Sequence, residues 1–347
     1  MKKLFPVLCS LVFFAFAGCG DSGKKPDAAD QPQVAEVSAF PEWPKGIYFV
    51  SNFDGKPSLY FRGFNDTANT VVWNRKNESV IDVRYSKDKK VVFFLTAAEQ
   101  GKPGIFPFIK GLKLYRFDYD RPGETKLCGQ TPECIYYSFF FENNDLLRFE
   151  TSSFADSEQK TVTNTRQLYS LTGVMLENRS RSVDITKEGF PQISKESLEY
   201  TSKDGKYAVL VNKEENIVLK ELSSRNYDIV VKKNKPLTEV GFTADNSYAV
   251  ISLADVSPNN ETLYEDNPET SELIIYSVKN KSVKFHTKGG GYKRFLIFGD
   301  LLVYENGFGD KSGIVIMNIV NMQEVAKIRL KGGSGLLNIP SIPDYDA

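Results

Sequence analysis

From residue 45 onward, apolar residues come in runs of four to seven, rich in Val, Ile, Phe and Tyr and broken by Asp, Asn, Gly or Lys. Ile47-Tyr48-Phe49-Val50, Val91-Val92-Phe93-Phe94-Leu95, Tyr207-Ala208-Val209-Leu210-Val211 and Gly313-Ile314-Val315-Ile316-Met317 are examples. No stretch beyond Pro44 keeps the 3.6-residue period of an amphipathic helix. Short β-branched and aromatic runs punctuated by turn residues, sustained over about 300 residues, predict an all-β chain.

A repeat emerges when the turns are aligned. Val83-Arg84-Tyr85-Ser86-Lys87-Asp88-Lys89-Lys90-Val91 matches Val240-Gly241-Phe242-Thr243-Ala244-Asp245-Asn246-Ser247-Tyr248, and Thr201-Ser202-Lys203-Asp204-Gly205-Lys206-Tyr207 repeats the theme. Looser copies turn near 144 and 300, so the steps are about 41 to 60 residues. That period in strand-only sequence is the mark of propeller blades, each a four-stranded sheet. The expected fold is a six-bladed β-propeller with blades at 80–127, 134–180, 193–233, 238–287 and 292–331. The sixth is a composite, in which strands from 45–75 are completed by an inner strand from 335–345. Closing a ring with both chain ends removes exposed sheet edges.

The motifs Tyr85-Ser86-Lys87-Asp88, Thr201-Ser202-Lys203-Asp204-Gly205-Lys206 and Ser51-Asn52-Phe53-Asp54-Gly55-Lys56-Pro57-Ser58-Leu59-Tyr60 resemble the propeller repeats of the TolB family of periplasmic translocation proteins. The resemblance covers about 300 residues. It implies the propeller fold and a cell-envelope location. Lys89 and Asn246 stand where that family prefers Gly, and the family's preceding helical domain has no counterpart. No partner is implied, because the matching residues shape turns and strands.

The N-terminus adds an address. Met1-Lys2-Lys3 precedes the mostly apolar residues 4–16 and then Ala17-Gly18-Cys19, which reads as an export signal too short to span a bilayer. Ala15-Phe16-Ala17 fits ordinary signal cleavage and a soluble secreted product. Phe16-Ala17-Gly18-Cys19 resembles the bacterial lipobox, with Phe where Leu is usual, which would leave a lipid-anchored Cys19 after removal of 1–18. Residues 20–44 favour the second reading: rich in Gly, Pro, Asp, Ala and Gln, they form a flexible tether of about 25–30 Å r.m.s. reach. By analogy with enteric lipoproteins, Gly20 rather than Asp after Cys19 implies the outer membrane. The globular part is then 45–347.

With Cys9 in the leader and Cys19 carrying lipid, Cys128 and Cys134 remain, and an even pair in an exported chain reads as a disulfide. Lys plus Arg equal Asp plus Glu at 44 each, which excludes a dominant nucleic-acid stripe. His286 is the only histidine, so sites needing two imidazoles are excluded. His286 itself reads as structural, Gly332-Gly333-Ser334-Gly335-Leu336 fails the nucleophile-elbow pattern, and Gly289-Gly290-Gly291 lacks Walker spacing. Asp255, Glu261, Glu265, Asp266, Glu269 and Glu272 fall within 18 residues free of Lys and Arg. They are expected to form a solvated acidic loop, with contact to a basic partner or to Ca²⁺ as alternatives. The sequence thus predicts an envelope lipoprotein, bound to the bilayer through Cys19 and offering a non-enzymatic platform to a protein or glycan, without a cofactor. The alternative is a carbohydrate-active enzyme using paired carboxylates at the mouth of the propeller channel.

Overall fold

The computed structural model describes residues 45–86, 88–101, 108–142, 146–188, 200–224, 226–232, 235–259, 263–266, 270–290, 293–307 and 312–331. All belong to one compact unit, Phe40–Ala347. The leader, Cys19, the tether and the expected closing strand 335–345 lie outside the described residues.

The chain is all-β, and its main sheets follow one another in sequence. Sheet 1 holds β1 (Gly46–Ser51), β2 (Ser58–Gly63) and β3 (Thr70–Trp73). Sheet 2 holds β4 (Ser79–Tyr85), β5 (Val91–Ala97), the short β6 (Glu99–Gly101), β7 (Phe108–Asp118) and β8 (Arg121–Cys134). Sheet 3 holds β9 (Tyr136–Glu142), β10 (Leu146–Phe154), β11 (Thr161–Ser170) and β12 (Met175–Asp184), followed by a single helical turn, α1 (Ile185–Glu188). Sheet 4 holds β13 (Tyr207–Val211), β14 (Ile217–Glu221) and β15 (Tyr227–Val231).

Sheet 5 begins with β16 (Leu237–Phe242) and β17 (Tyr248–Leu253). A separate hairpin of β18 (Val256–Asn259) and β19 (Leu263–Asp266) intervenes before β20 (Glu272–Ser277) and β21 (Ser282–Lys288) complete it. Sheet 6 holds β22 (Phe295–Phe298), β23 (Leu301–Asn306), β24 (Gly313–Asn318) and β25 (Gln323–Arg329). Pairing is antiparallel throughout, and apart from the insertions each sheet keeps chain order.

The turn motif explains why the first two strands of a unit meet. Ser86 Oγ donates to Asp88 Oδ1 at 2.6 Å, Asp88 accepts from the Lys90 N–H, and Ser86 Oγ accepts from the Val91 N–H. Ser202 and Asp204, and Thr243 and Asp245, repeat the arrangement. Lys89 (φ 60°) and Asn246 (φ 57°) occupy the left-handed region, so both stand where glycine would be unstrained.

Buried side chains join neighbouring sheets. One cluster unites sheets 1, 2 and 6 through Phe49, Tyr48, Phe94, Phe117, Val303 and Ile316. A second joins sheets 2 and 3, a third sheets 4 and 5, and a fourth sheets 5 and 6. Sheet 1 therefore touches both the next sheet in the chain and the last one. The contact is also polar: Asn52 N–H donates to the Lys331 carbonyl at 2.9 Å, and Lys331 N–H to Ser51 Oγ at 3.0 Å. Among the described residues no buried cluster spans sheets 3 and 4.

The edge of β1 facing away from β2 carries an unexpected cover. Tyr119 Oη accepts from Gly46 N–H at 2.8 Å and donates to the Gly46 carbonyl at 2.7 Å. Tyr85 Oη treats Tyr48 likewise, accepting from its N–H and donating to its carbonyl at 2.6 Å. Alternate residues of a strand present their backbone groups to the same edge, so these hydroxyls occupy what an inner strand would use at Gly46 and Tyr48.

The cysteine expectation is corrected. Cys128 and Cys134 are free thiols. The segment that carries both cysteines is the outer strand β8, which takes sheet 2 on to Cys134 beyond the expected limit of 127 and pairs with the 11-residue β7. Six residues of extended strand separate the two by about 20 Å, whereas a disulfide needs Cα atoms within about 7 Å. Burial pushes Cys128 up to about 11 and Cys134 up to about 12, so neither thiol is reactive. Denatured without reductant, both cysteines are expected to take maleimide, whereas Cys134 should be protected in the native protein. A linked Cys128–Cys134 peptide in the mass spectrum would overturn this assignment.

Candidate functional site

In an antiparallel meander, the start of the first strand, the end of the second and the start of the third share one end of the sheet. At that end of sheets 2, 5 and 6 lie buried polar groups, of which the sequence reading named Glu272 alone as a candidate. Glu78, just before β4, is 9% exposed. Its carboxylate accepts from Lys113 Nζ at 2.7 Å, Thr96 Oγ1 at 3.1 Å and Tyr115 Oη at 3.2 Å. Burial alone would raise the Glu78 pKa, but the Lys113 and Thr96 hydrogen bonds outweigh it and hold the carboxyl below its ordinary value.

Sheet 5 has the same pair with its charges exchanged. Lys235, just before β16, donates to Glu272 Oε1 at 2.7 Å and to the Thr270 carbonyl at 2.7 Å. Glu272 also meets His286 Nε2 at 2.7 Å and Lys288 Nζ at 3.7 Å. Here too burial raises the carboxyl, and the Lys235 and His286 contacts lower it further than burial lifts it. Glu78 and Lys113 are 35 residues apart, Lys235 and Glu272 37. That near-equal spacing between the inner and third strands was the signal available in the sequence. In sheet 6, Lys293 precedes β22 with 1% exposure and donates to Asn306 Oδ1 at 2.8 Å. Burial pushes its pKa down to about 8 against the opposing charge of Glu305.

Between sheets 1 and 2 the same end holds an open depression lined by Asp54, Gly55, Lys56, Asn74 and Lys76. Gly55 (φ 84°) makes the β1–β2 turn, and Val80 N–H donates to the Pro57 carbonyl at 3.0 Å, fixing that turn against β4. Lys56 Nζ is held by the Arg75 and Glu78 carbonyls, and Asp54 accepts from Tyr60 Oη at 2.8 Å. Arg75 lays its guanidinium 4.0 Å from the centre of the Trp73 ring.

The six acidic residues do not form one site. Glu272 is a buried ion-pair anchor, so its place in a solvated loop is corrected: the neighbouring strands supply countercharges that a scan of the 18-residue window could not see. Asp255 is exposed, with its N–H on Thr270 Oγ1 at 3.0 Å. Glu265 and Asp266 belong to strand β19 rather than to a loop, while Glu261 and Glu269 lie outside the described residues. Among the described residues no three His, Cys, Asp or Glu side chains converge as metal ligands. His286 sits on the edge strand β21 as a partner of Glu272.

No protein-family model matches the chain, and no curated protein matches it. Among solved structures it is similar to TolB from Acinetobacter baumannii, at 11% identity and a TM-score of 0.47 over 86% of this chain. The chain spans 66% of that protein's length. It is also similar to apo AztD from Citrobacter koseri, at 9% identity and 0.41, covering 84% of this chain and 96% of that one. An oligogalacturonate lyase from Vibrio parahaemolyticus shows 11% identity and 0.40, covering 78% and 86%. At these values the functional reading rests on the chain's own residues.

Proposed function

We propose that this chain is a lipid-anchored protein of the cell envelope, attached through Cys19, whose six consecutive sheets form a β-propeller serving as a non-enzymatic binding platform for an envelope protein or glycan. The outer membrane is the favoured site, from Gly20. The observation that supports the non-enzymatic reading is the pairing of two buried carboxylates, Glu78 and Glu272, with lysines at the described ends of sheets 2 and 5. Glycoside cleavage needs one carboxylic acid whose pKa is raised so that it can donate a proton. Glu78 and Glu272 are instead held below their ordinary value by lysines and hydrogen bonds. Their partners immobilise the strand ends, leaving a rigid base from which the turns and the β18–β19 hairpin extend.

Three measurements test the proposal. Cys19→Ala should release the protein from membranes or leave an uncleaved precursor, with labelled palmitate marking the wild type alone; unlabelled wild type starting at Gly18 would support the soluble form. Crosslinking in the native envelope should capture a stable partner, and a panel of chromogenic glycosides should remain intact. Turnover of any of them would replace the platform with the carbohydrate-active enzyme.

A further inference from the structure

We infer that the depression between the β1–β2 turn and the β3–β4 connection binds an oxyanion, a carboxylate or phosphate group carried by the platform's ligand; this deepens the binding reading and rests on it. Glu78 stands three residues from Arg75 and is the nearest carboxylate in sequence that could neutralise it. Yet Glu78 is turned inward onto Lys113, Thr96 and Tyr115. Asp54, the one acid lining the depression, already accepts from Tyr60 Oη. Against it stand Lys56 and Lys76 in the lining, with Arg75 between the lining residues Asn74 and Lys76 in the chain.

Arg75 is preorganised. Its guanidinium carbon sits 4.0 Å from the centre of the Trp73 ring, a cation–π contact that holds the side chain without using its N–H donors. Fixing the side chain in this way removes much of the rotamer entropy that an arginine loses on binding. Lys56 uses two of its three ammonium donors on the Arg75 and Glu78 carbonyls, which leaves one. Lys76 occupies the tip of the turn closed by the Glu78 N–H to Arg75 carbonyl bond at 3.2 Å, and Asn74 adds an amide. Two lysines in the lining and the adjacent Arg75 outnumber the single carboxylate of Asp54, a balance that favours negative oxygen.

The test titrates the purified protein with inorganic phosphate and, separately, with glucuronate at constant ionic strength, reading heat of binding. Saturable binding of at least one probe is expected, and which one saturates separates phosphate from carboxylate. Arg75→Gln/Lys76→Gln should weaken it by roughly tenfold or more. Lys76→Gln alone, at an exposed side chain, should weaken it with an unchanged melt. Lys203→Gln, an equal charge change at an exposed turn of sheet 4, should leave it untouched. Absence of saturation with both probes, or equal affinity in the double variant, overturns the inference. Envelope crosslinking of the same variants keeps the two readings apart. A partner captured equally by wild type and double variant, with no probe bound, removes the oxyanion site and leaves the platform standing. Failure of the wild type to capture any partner removes the platform itself.

Discussion

Tyr85→Phe and Tyr119→Phe should each cost about 2 kcal/mol of folding free energy, and the two together about 4 kcal/mol. Each hydroxyl serves both backbone groups of one β1 residue, Tyr119 those of Gly46 and Tyr85 those of Tyr48. Removing the oxygen leaves a buried N–H and a buried C=O unpaired while the ring still fills its place, so the loss is one of hydrogen bonding rather than of volume. Burial holds Tyr85 protonated far above the ordinary phenol range, so donation to the Tyr48 carbonyl persists at any pH used for unfolding. Urea titration reads the effect as a lower midpoint at unchanged slope. The same variants examine the composite blade. An inner strand from 335–345 lying along all of β1 would have to displace both hydroxyls, and the Phe variants would then be silent. If they destabilise as expected, Gly46 and Tyr48 have no backbone group left for a further strand. Variants that unfold like the wild type would mean that the tyrosine cover is not what satisfies β1.

How much of this was legible in the sequence depends on how local the cause is. The turns could be read because their chemistry is contained in five residues. Ser86 and Asp88 cap their own loop, and the positive φ at Lys89 and Asn246 falls where the resembled family places glycine. The strands followed from runs such as Val91–Ala97, buried along its whole length. β8 was misread because Gly129, Pro132 and two cysteines in one stretch look like a loop, whereas an outer strand tolerates proline when its missing N–H faces away from the ladder. The Tyr85 and Tyr119 contacts to β1 span 37 and 73 residues, and no periodicity reports such a pairing. Glu272 was placed among exposed acids because the window from Asp255 contains no cation. Lys235 lies before that window and His286 and Lys288 after it, all three brought to Glu272 by the sheet.

The exchanged ion pairs give the second large effect. Lys113→Met should cost about 2–3 kcal/mol at neutral pH, at the low end of what breaking a buried pair costs because the Lys113 side chain is 32% exposed and Glu78 9%. The harm lies in the carboxylate left behind, so Lys113→Met/Glu78→Leu should recover most of the loss. The reversed pair, Glu78→Lys/Lys113→Glu, should recover at least half of it. Its geometry already exists in this protein, with lysine before the first strand and glutamate on the third, at Lys235 and Glu272. The pH dependence follows from the sign of the Glu78 shift. Its folded pKa lies below the ordinary 4.5, so the unfolded chain binds the proton more readily. The pair's contribution is fully present above about pH 5 and fades as pH falls through the folded value. Glu78→Gln should therefore flatten the acid side of the stability profile between about pH 5 and 3, and, because the Glu78 hydrogen bond also raises the Lys113 pKa, it should remove the stability lost as pH rises through the raised Lys113 value. Trp73, with its ring centroid 4.6 Å from that of Tyr115, gives a fluorescence signal for the titration. A reversed variant as unstable as Lys113→Met would mean that Thr96 and Tyr115, which donate to Glu78 and have no counterpart at Glu272, make the site specific for an anion.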